Sequence, residues 1–284
     1  MTIIKAACVQ MCSGTEINQN LRVASELIRS AAEAGASLIA TPEMTTLLDI
    51  RPGKAGPQHR YEADNRELAA FRDLAAELKI WLSIGSIGVR HEEEERSANR
   101  SFLIGPDGRL LARYDKIHMF DVEIDDGQQY CESRAYRPGQ AAVLVETPFA
   151  KIGMTICYDL RFPSLYRQLS QSGADIITCP AAFTRLTGEA HWHALLRARA
   201  IENGVFILAA AQGGDHADGR QTFGHSLIVS PWGEVLAEAA GTAPGVIFAD
   251  LDLTRVAAVR RQIPSLSASP SVPLVVVRDD KTIE

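Results

Sequence analysis

Cys157 is the residue whose surroundings most favour chemistry in this sequence. An apolar segment, residues 151–156, leads directly into it, and a polar stretch with Pro163 precedes the next predicted helix. A strand that ends in a sharp bend exposes the side chain at the bend, as at the nucleophile elbow of the α/β-hydrolases. The backbone N–H of Tyr158 then faces the same space and can stabilise an oxyanion. A cysteine that ends a buried strand is otherwise a small packed hydrophobe, so this segment alone leaves both interpretations open.

A carboxylate occupies a comparable place earlier in the chain. Residues 3–9 predict a buried strand, a helix-period stretch begins at Ile17, and residues 36–40 predict a second strand that leads to Glu43. Open α/β sheets place their chemistry at the ends of strands. This strand–helix–strand unit therefore predicts that Glu43 lies at the edge of a sheet.

The remaining pattern predicts an α/β fold with mixed sheets and helices on their outer faces. Residues 119–141 are polar and irregular, and a loop that long inside a compact domain is usually functional. We expect one domain over residues 1–263 and a tail over 264–284, in which residues 274–277 could add a strand or pack on a partner. The other predicted elements are helices at 66–79, 164–172, 191–203 and 253–262, a hairpin at 101–114, strands at 80–89, 143–147, 175–178, 205–210, 226–229, 234–238 and 246–251, and a Gly/Asp-rich loop after residue 210.

Composition excludes several classes of protein. The 284 residues carry a net charge of -6, which disfavours nucleic-acid binding because that binding neutralises phosphates with Lys and Arg. The first residues lack the pattern of a signal peptide, and no apolar run reaches the length of a membrane span. The five scattered cysteines are typical of reduced thiols in a cytoplasmic enzyme.

Metal and redox chemistry find little support. His191 and His193 are two apart on a predicted helix and point in different directions, so with His216 and His225 we expect them to be structural. We therefore expect no metal and no cofactor. No second cysteine lies near Cys157 in sequence, so a thiol redox function is also disfavoured.

Three segments follow one another along the chain: Thr41-Pro42-Glu43, Tyr114-Asp115-Lys116-Ile117-His118 and Ile156-Cys157-Tyr158-Asp159-Leu160-Arg161-Phe162-Pro163. In this order they resemble the motifs of the carbon–nitrogen hydrolase (nitrilase) superfamily, and the similarity covers about residues 3–263. The resemblance implies a four-layer α-β-β-α sandwich with two mixed sheets and a homodimer or larger homo-oligomer.

The resemblance also implies roles for these residues. Glu43 takes the thiol proton of Cys157 and delivers it to the leaving nitrogen, and Lys116 favours the thiolate and then donates to the oxyanion beside the Tyr158 N–H. Loss of ammonia leaves a thioester on Cys157, and its hydrolysis by a water that Glu43 activates releases the acid. Glu132, in the long loop, is the candidate that holds Lys116 and orients the amide; otherwise it is a solvated loop carboxylate.

The nearest branch is that of the deaminated glutathione amidases. The segments that resemble it are residues 116–122, 131–133 and 209–214, with His216, Arg220 and residues 222–226. The implied substrate is a small amide that carries carboxylates. The alternatives are an omega-amidase acting on 2-oxoglutaramate, an N-carbamoyl amide hydrolase, a nitrilase, or a catalytically silent interaction scaffold.

A carboxylate-bearing substrate needs a cation near the nucleophile. Arg161, four residues after Cys157, could bind a carboxylate in bidentate fashion, or it could simply pair with Asp159. Arg185 and Arg199 are further candidates. Phe183 could line the pocket or pack on the core.

Overall fold

The polypeptide forms two large β-sheets between layers of helices. The computed structural model describes residues 3–49, 51, 53–124, 129–267 and 273. The strands are β1 (Ile3–Gln10), β2 (Leu38–Ala40), β3 (Trp81–Val89), β4 (Ser97–Ile104), β5 (Leu110–Asp115), β6 (Asp121–Glu123), β7 (Gln129–Cys131), β8 (Tyr136–Arg137), β9 (Val143–Glu146), β10 (Lys151–Met154), β11 (Ile176–Thr178), β12 (Phe206–Ala209), β13 (Gly213–Asp215), β14 (Gln221–Phe223), β15 (Leu227–Val229), β16 (Val235–Glu238) and β17 (Gly245–Asp252). The α-helices are α1 (Ile17–Glu33), α2 (Arg66–Leu78), α3 (Pro163–Gln171), α4 (Arg185–Asn203) and α5 (Thr254–Gln262). Short 3₁₀ helices cover Gly56–Gln58, Glu62–Asp64, Glu132–Arg134, Cys157–Arg161 and Pro264–Leu266.

The two large sheets are both mixed. The first has the order β17-β1-β2-β3-β4-β5, with β8 paired to β4, and the second has the order β16-β15-β12-β11-β10-β9. In each sheet, three neighbouring strands are parallel and the flanking strands are antiparallel to them. The expected four-layer α-β-β-α sandwich is confirmed.

Strand β1 shows how the layers are built. Successive side chains of a strand point to opposite faces of its sheet. Ala7 and Val9 pack in the core with α1 and α2, whereas Ala6 and Cys8 pack in the core that includes the second sheet. A strand covered on both faces is apolar throughout, which explains the unbroken apolar run that predicted it.

The first sheet brings three polar residues to one edge. Strand β2 is parallel to β3, and β4 is antiparallel to both β3 and β5, so β2 and β5 run in the same direction. Glu43 and Lys116 follow the C-terminal ends of β2 and β5, while Asn99 lies near the start of β4. All three residues therefore lie at the same end of this sheet, where β2 and β5 end and β4 begins.

Most predicted elements are confirmed, and the differences lie in short or irregular segments. Helix α4 begins at Arg185, well before the predicted start at His191. Residues 119–141 contain the hairpin of β6 and β7 and the strand β8, and the Gly/Asp-rich loop forms the hairpin of β13 and β14. Strands of two or three residues are too short to show an apolar period. The strand predicted at 274–277 lies outside the described residues.

Candidate active site

The ammonium group of Lys116 lies between two carboxylates in the protein interior. Its Nζ is 2.9 Å from Oε1 of Glu43 and 2.8 and 3.0 Å from the two carboxylate oxygens of Glu132. The backbone of Lys116 donates to Asn99 O at 3.0 Å and accepts from Gly139 N–H at 2.7 Å, which fixes its direction. The side chain is 2% exposed. A buried ammonium is tolerated here because carboxylate oxygens satisfy its N–H groups.

Glu43 stands in a tight loop that is attached to the neighbouring strand. The N–H of Gly85 donates to Oγ1 of Thr41 at 3.0 Å. A Cβ at position 85 would lie 2.1 Å from the Thr41 carbonyl oxygen, so this close approach requires glycine. The backbone turns sharply at Met44, whose φ is 53°. The loop directs the Glu43 carboxylate towards the second sheet, where Oε2 accepts from Ala182 N–H at 2.8 Å.

Cys157 begins the 3₁₀ turn that follows β10. Its φ of 50° lies in the left-handed region, which is unusual for a residue with a side chain and agrees with the predicted nucleophile elbow. Its N–H donates to Pro180 O at 2.8 Å. The residue is buried, and its thiol lies close enough to Glu43 and to the backbone of Ala182 for both groups to change its pKa. The sulfur therefore lies beside the carboxylate that was predicted to take its proton.

The charges of the three residues depend on one another. Burial raises the pKa of the Cys157 thiol well above its ordinary value, and the Glu43 charge adds to this while Lys116 opposes it. Burial also acts to raise the pKa of Glu43, but the Lys116 charge and the hydrogen bonds from Cys157 and Lys116 outweigh it and lower that pKa. Burial acts to lower the pKa of Lys116, but the two carboxylates raise it well above its ordinary value. At neutral pH the site therefore holds a thiol, a carboxylate and an ammonium.

Two amide side chains that the sequence analysis did not identify complete the polar network. The fully buried Asn99 donates through Nδ2 to Oε1 of Glu43 at 3.0 Å and to Oε1 of Glu132 at 3.1 Å. Gln212 donates to the backbone oxygen of Glu43 at 2.9 Å. A sequence signal for both was present: each is an amide side chain within or directly after an apolar strand. Such a side chain is buried and needs hydrogen-bond partners, which indicates a polar network nearby.

Asp159 joins the cysteine segment to the lysine segment. This fully buried carboxylate accepts from Tyr114 OH at 2.7 Å and Ile156 N–H at 2.8 Å through Oδ2. Its Oδ1 contacts His118 N at 3.1 Å and His118 Nδ1 at 2.7 Å. Tyr114 and His118 flank Lys116, so one carboxylate fixes the nucleophile loop relative to the lysine.

Arg161 and Phe183 lie together beside the nucleophile loop. The Arg161 guanidinium is 5.4 Å from the ring centroid of Phe183 and 6.0 Å from that of Tyr158, and it contacts His191 Nδ1 at 3.3 Å. The pairing with Asp159 that was weighed from the sequence is not formed. Arg161 makes no ion pair with any described carboxylate, so its charge is available to an anion.

The other two candidate arginines lie in different surroundings. Arg199 is buried, and its guanidinium donates to Leu160 O and to Glu202, each at 2.9 Å. It therefore supports the cysteine segment from within the core, which corrects the expectation that it contacts substrate. Arg185 is exposed at the start of α4 and donates to Gln221 Oε1 at 3.5 Å.

The histidines considered as metal ligands have protein partners. Nε2 of His193 and Nδ1 of His225 lie 2.9 and 2.8 Å from the same Glu238 oxygen. Within the described ranges these three residues form a group whose donor atoms lie within 4.8 Å of one another. Nδ1 of His216 donates to Ser13 O at 2.7 Å. Hydrogen bonds to protein groups therefore explain why His193, His216 and His225 lie where they do.

Comparison with known proteins shows the family of this chain. The sequence matches the carbon-nitrogen hydrolase family over residues 5–261. The deaminated glutathione amidase of Yersinia enterocolitica is 40% identical over 276 residues, which cover 96% of this chain and 95% of that protein. The omega-amidase of Homo sapiens is 35% identical over 264 residues, which cover 93% of this chain and 94% of that protein. The chain belongs to the carbon–nitrogen hydrolase family.

Solved structures agree with this assignment. The C. elegans NitFhit protein has a TM-score of 0.87 and 34% identity over 94% of this chain, which spans 65% of the NitFhit chain. A glutamate-to-glutamine mutant of the amidase from Nesterenkonia sp. AN1 has a TM-score of 0.77 and 25% identity, covers 92% of this chain and 98% of its own, and carries acrylamide on its active-site cysteine. The protein is a hydrolase of carbon–nitrogen bonds and, more narrowly, an amidase.

Proposed function

We propose that the protein hydrolyses small, carboxylate-bearing amides through a thioester on Cys157. The observation that carries the proposal is the Lys116 ammonium, held at 2.9 Å by Glu43, whose carboxylate lies near the Cys157 thiol and raises the pKa of that thiol. A nucleophile, a proton carrier and a cation then meet at one substrate carbonyl.

The reaction proceeds through two tetrahedral intermediates. Glu43 takes the thiol proton as Sγ of Cys157 attacks the carbonyl carbon, and the oxyanion accepts hydrogen bonds from Lys116 and the Tyr158 N–H. Glu43 then protonates the leaving nitrogen, the C–N bond breaks and a thioester remains. Glu43 next takes a proton from water, whose oxygen attacks the thioester. The acid leaves and the proton returns to the sulfur.

Glu132 keeps Lys116 in place during these steps and orients the substrate amide. Its carboxylate accepts from Phe120 N–H at 2.7 Å as well as from Lys116. It is therefore held by the backbone of the long loop rather than solvated. This contact supports the functional role over the alternative of a solvated loop carboxylate.

Deaminated glutathione is the substrate we favour, on the 40% identity to a deaminated glutathione amidase. Its scissile nitrogen belongs to cysteinylglycine, so the leaving group is that dipeptide rather than the ammonia expected for a primary amide. Arg161 binds a substrate carboxylate above Phe183. The second candidate is 2-oxoglutaramate, on the 35% identity to an omega-amidase, and here ammonia leaves.

A substrate panel tests the proposal. Purified enzyme is mixed with deaminated glutathione, 2-oxoglutaramate, an N-carbamoyl amino acid and a simple nitrile, and the released acid and amine are quantified. We expect the highest kcat/KM for deaminated glutathione and an acyl adduct on Cys157 by mass spectrometry. Cys157→Ala should be inactive, and the matched control Cys12→Ala should keep its activity. Normal turnover by Cys157→Ala would overturn the mechanism, and absence of turnover across the panel would favour the scaffold.

We further propose a cytoplasmic homo-oligomer with one catalytic domain over residues 1–263 and the 264–284 tail at the subunit contact. The free state of all five cysteines is consistent with a reducing compartment. Two large apolar side chains, Ile201 of α4 and Trp232 of the adjoining turn, are 50% and 47% exposed on the outer layer, where a partner could cover them. Within the part of the chain described, no helix combines the length and apolar character of a membrane span.

A further inference from the structure

Arg220 is an arginine whose charge the proposed mechanism does not use. It lies between β13 and β14, where its N–H donates to Asp218 Oδ1 at 3.0 Å and its carbonyl accepts from His216 N–H at 2.8 Å. The hairpin therefore holds the backbone of Arg220 in place.

Among the described residues, the Arg220 guanidinium has no anionic partner. Its Nε is buried and has no hydrogen-bond partner in that part of the chain. Across the described residues, its side chain forms no hydrogen bond and no ion pair. The guanidinium instead lies over the ring of Tyr130, 5.5 Å from the centroid. A buried N–H without an acceptor is unfavourable unless a ligand supplies one.

Contacts of Tyr130 place this guanidinium at the wall of the catalytic site. Tyr130 is two residues before Glu132 in sequence, and its ring is 4.9 Å from that of Phe120. Phe120 donates its N–H to Glu132 at 2.7 Å, and its ring is 5.2 Å from that of Tyr158. The aromatic row thus runs from Arg220 to the residue that follows the nucleophile.

The charges nearby explain why a cation is needed here. Glu43 and Glu132 carry two negative charges and Lys116 one positive charge, so these three groups alone would repel an anionic substrate. Burial acts to raise the pKa of Glu43, the Lys116 charge lowers it, and the Arg220 charge adds to the lowering. His216 beside Arg220 adds no second cation, because burial lowers its pKa.

We propose that Arg220 forms a carboxylate-binding subsite of the catalytic cleft, separate from Arg161. The inference rests on the proposed amidase function and identifies which protein group selects anionic amides. The Nε–H and a terminal N–H donate to the two oxygens of one substrate carboxylate, in the plane of the guanidinium. The Tyr130 ring packs against one face of the guanidinium.

The test compares two amides of the same length, glutaramate, which carries a carboxylate, and pentanamide, which ends in a methyl group. The measured quantity is the ratio of their kcat/KM values. In Arg220→Gln we expect this ratio to fall about 10- to 100-fold, as for a lost hydrogen bond to a charged group. Arg220→Lys should recover part of the ratio, and the exposed Arg22→Gln should match wild type. Thermal unfolding of each variant confirms that it is folded.

An unchanged ratio in a folded Arg220→Gln protein, whether both rates fall or neither does, would overturn the subsite. Failure of wild-type enzyme to hydrolyse either amide would instead count against the proposed function. In that case the subsite is judged by calorimetric binding of glutarate to the wild-type protein. Binding that is lost in Arg220→Gln supports the subsite, and equal or absent binding to both proteins rejects it.

Discussion

Glu43 and Glu132 hold the same ammonium group in different ways. Glu132 uses both oxygens for Lys116, at 2.8 and 3.0 Å, whereas Glu43 uses one oxygen at 2.9 Å. The second oxygen of Glu43 accepts from Ala182 N–H at 2.8 Å, beside the Cys157 thiol. We infer that Glu132 anchors the lysine and that Glu43 exchanges protons with the sulfur and the substrate.

Replacing each glutamate separately tests this division of roles. Glu43→Gln removes the proton carrier, so kcat/KM should fall about 10²- to 10⁴-fold at every pH. Glu132→Gln should cost less activity and should move the alkaline limb of the pH–rate profile to lower pH. Burial acts to lower the pKa of Lys116, and the Glu132 charge is the largest of the effects that raise it above its ordinary value. Identical profiles for the two variants would contradict the division.

Asn99→Asp should shift the acid limb of the profile. Activity requires ionised Glu43, whose pKa lies below its ordinary value of 4.5 because the Lys116 charge and hydrogen bonds outweigh burial. A third carboxylate at position 99 raises the pKa of Glu43, so activity should be lost at a higher pH than in wild type. The measurement is kcat/KM from about pH 4 to about pH 9. Asn99→Leu is the uncharged control, and an acid limb that moves equally in both variants would contradict the electrostatic argument.

Asp159→Asn should destabilise the fold as well as the site. The carboxylate is fully buried and joins Tyr114, Ile156 and His118. Breaking such a buried charged network should lower the free energy of unfolding by about 3–5 kcal/mol, measured by urea denaturation. Tyr114→Phe, which removes one hydrogen bond to the same carboxylate, should cost about 1.5–3 kcal/mol. Equal costs for the two variants would show that Asp159 is held by Tyr114 alone.

His59 should make stability depend on pH. Burial lowers the pKa of His59 to about 4, and Nδ1 contacts Ser97 Oγ at 2.8 Å. The folded pKa lies below the unfolded value of 6.5, so the folded protein favours neutral His59. The stability that neutral His59 contributes is therefore present above pH 6.5 and is lost as the pH falls towards 4. The difference between the two pKa values corresponds to about 3 kcal/mol of unfolding free energy. His59→Asn should show a flatter dependence of unfolding free energy on pH, and parallel curves would reject the assignment.

Local patterns in the chain were enough to predict the long elements and the class of fold. Continuous apolar runs such as residues 3–9 predicted the central strands, because strands buried on both faces have no polar side. Cys157 was identified by the strand that leads into its bend, and Glu43 by its place at a strand end. Their roles, together with those of Lys116 and Glu132, came from the family motifs, which are short and contiguous.

Contacts between distant segments account for what could not be predicted. The bond between Glu43 and the Ala182 N–H joins residues 139 positions apart, and no local pattern records such a distance. Asn99 entered the site because antiparallel β4 starts where β2 and β5 end. Nothing in the sequence distinguishes Arg199 from Arg220. Arg199 is satisfied by hydrogen bonds in the core, whereas Arg220 lies over the Tyr130 ring and its Nε has no hydrogen-bond partner among the described residues. Packing in three dimensions decides which polar groups pair, because a buried donor can bond only to an acceptor that the fold brings within hydrogen-bond distance.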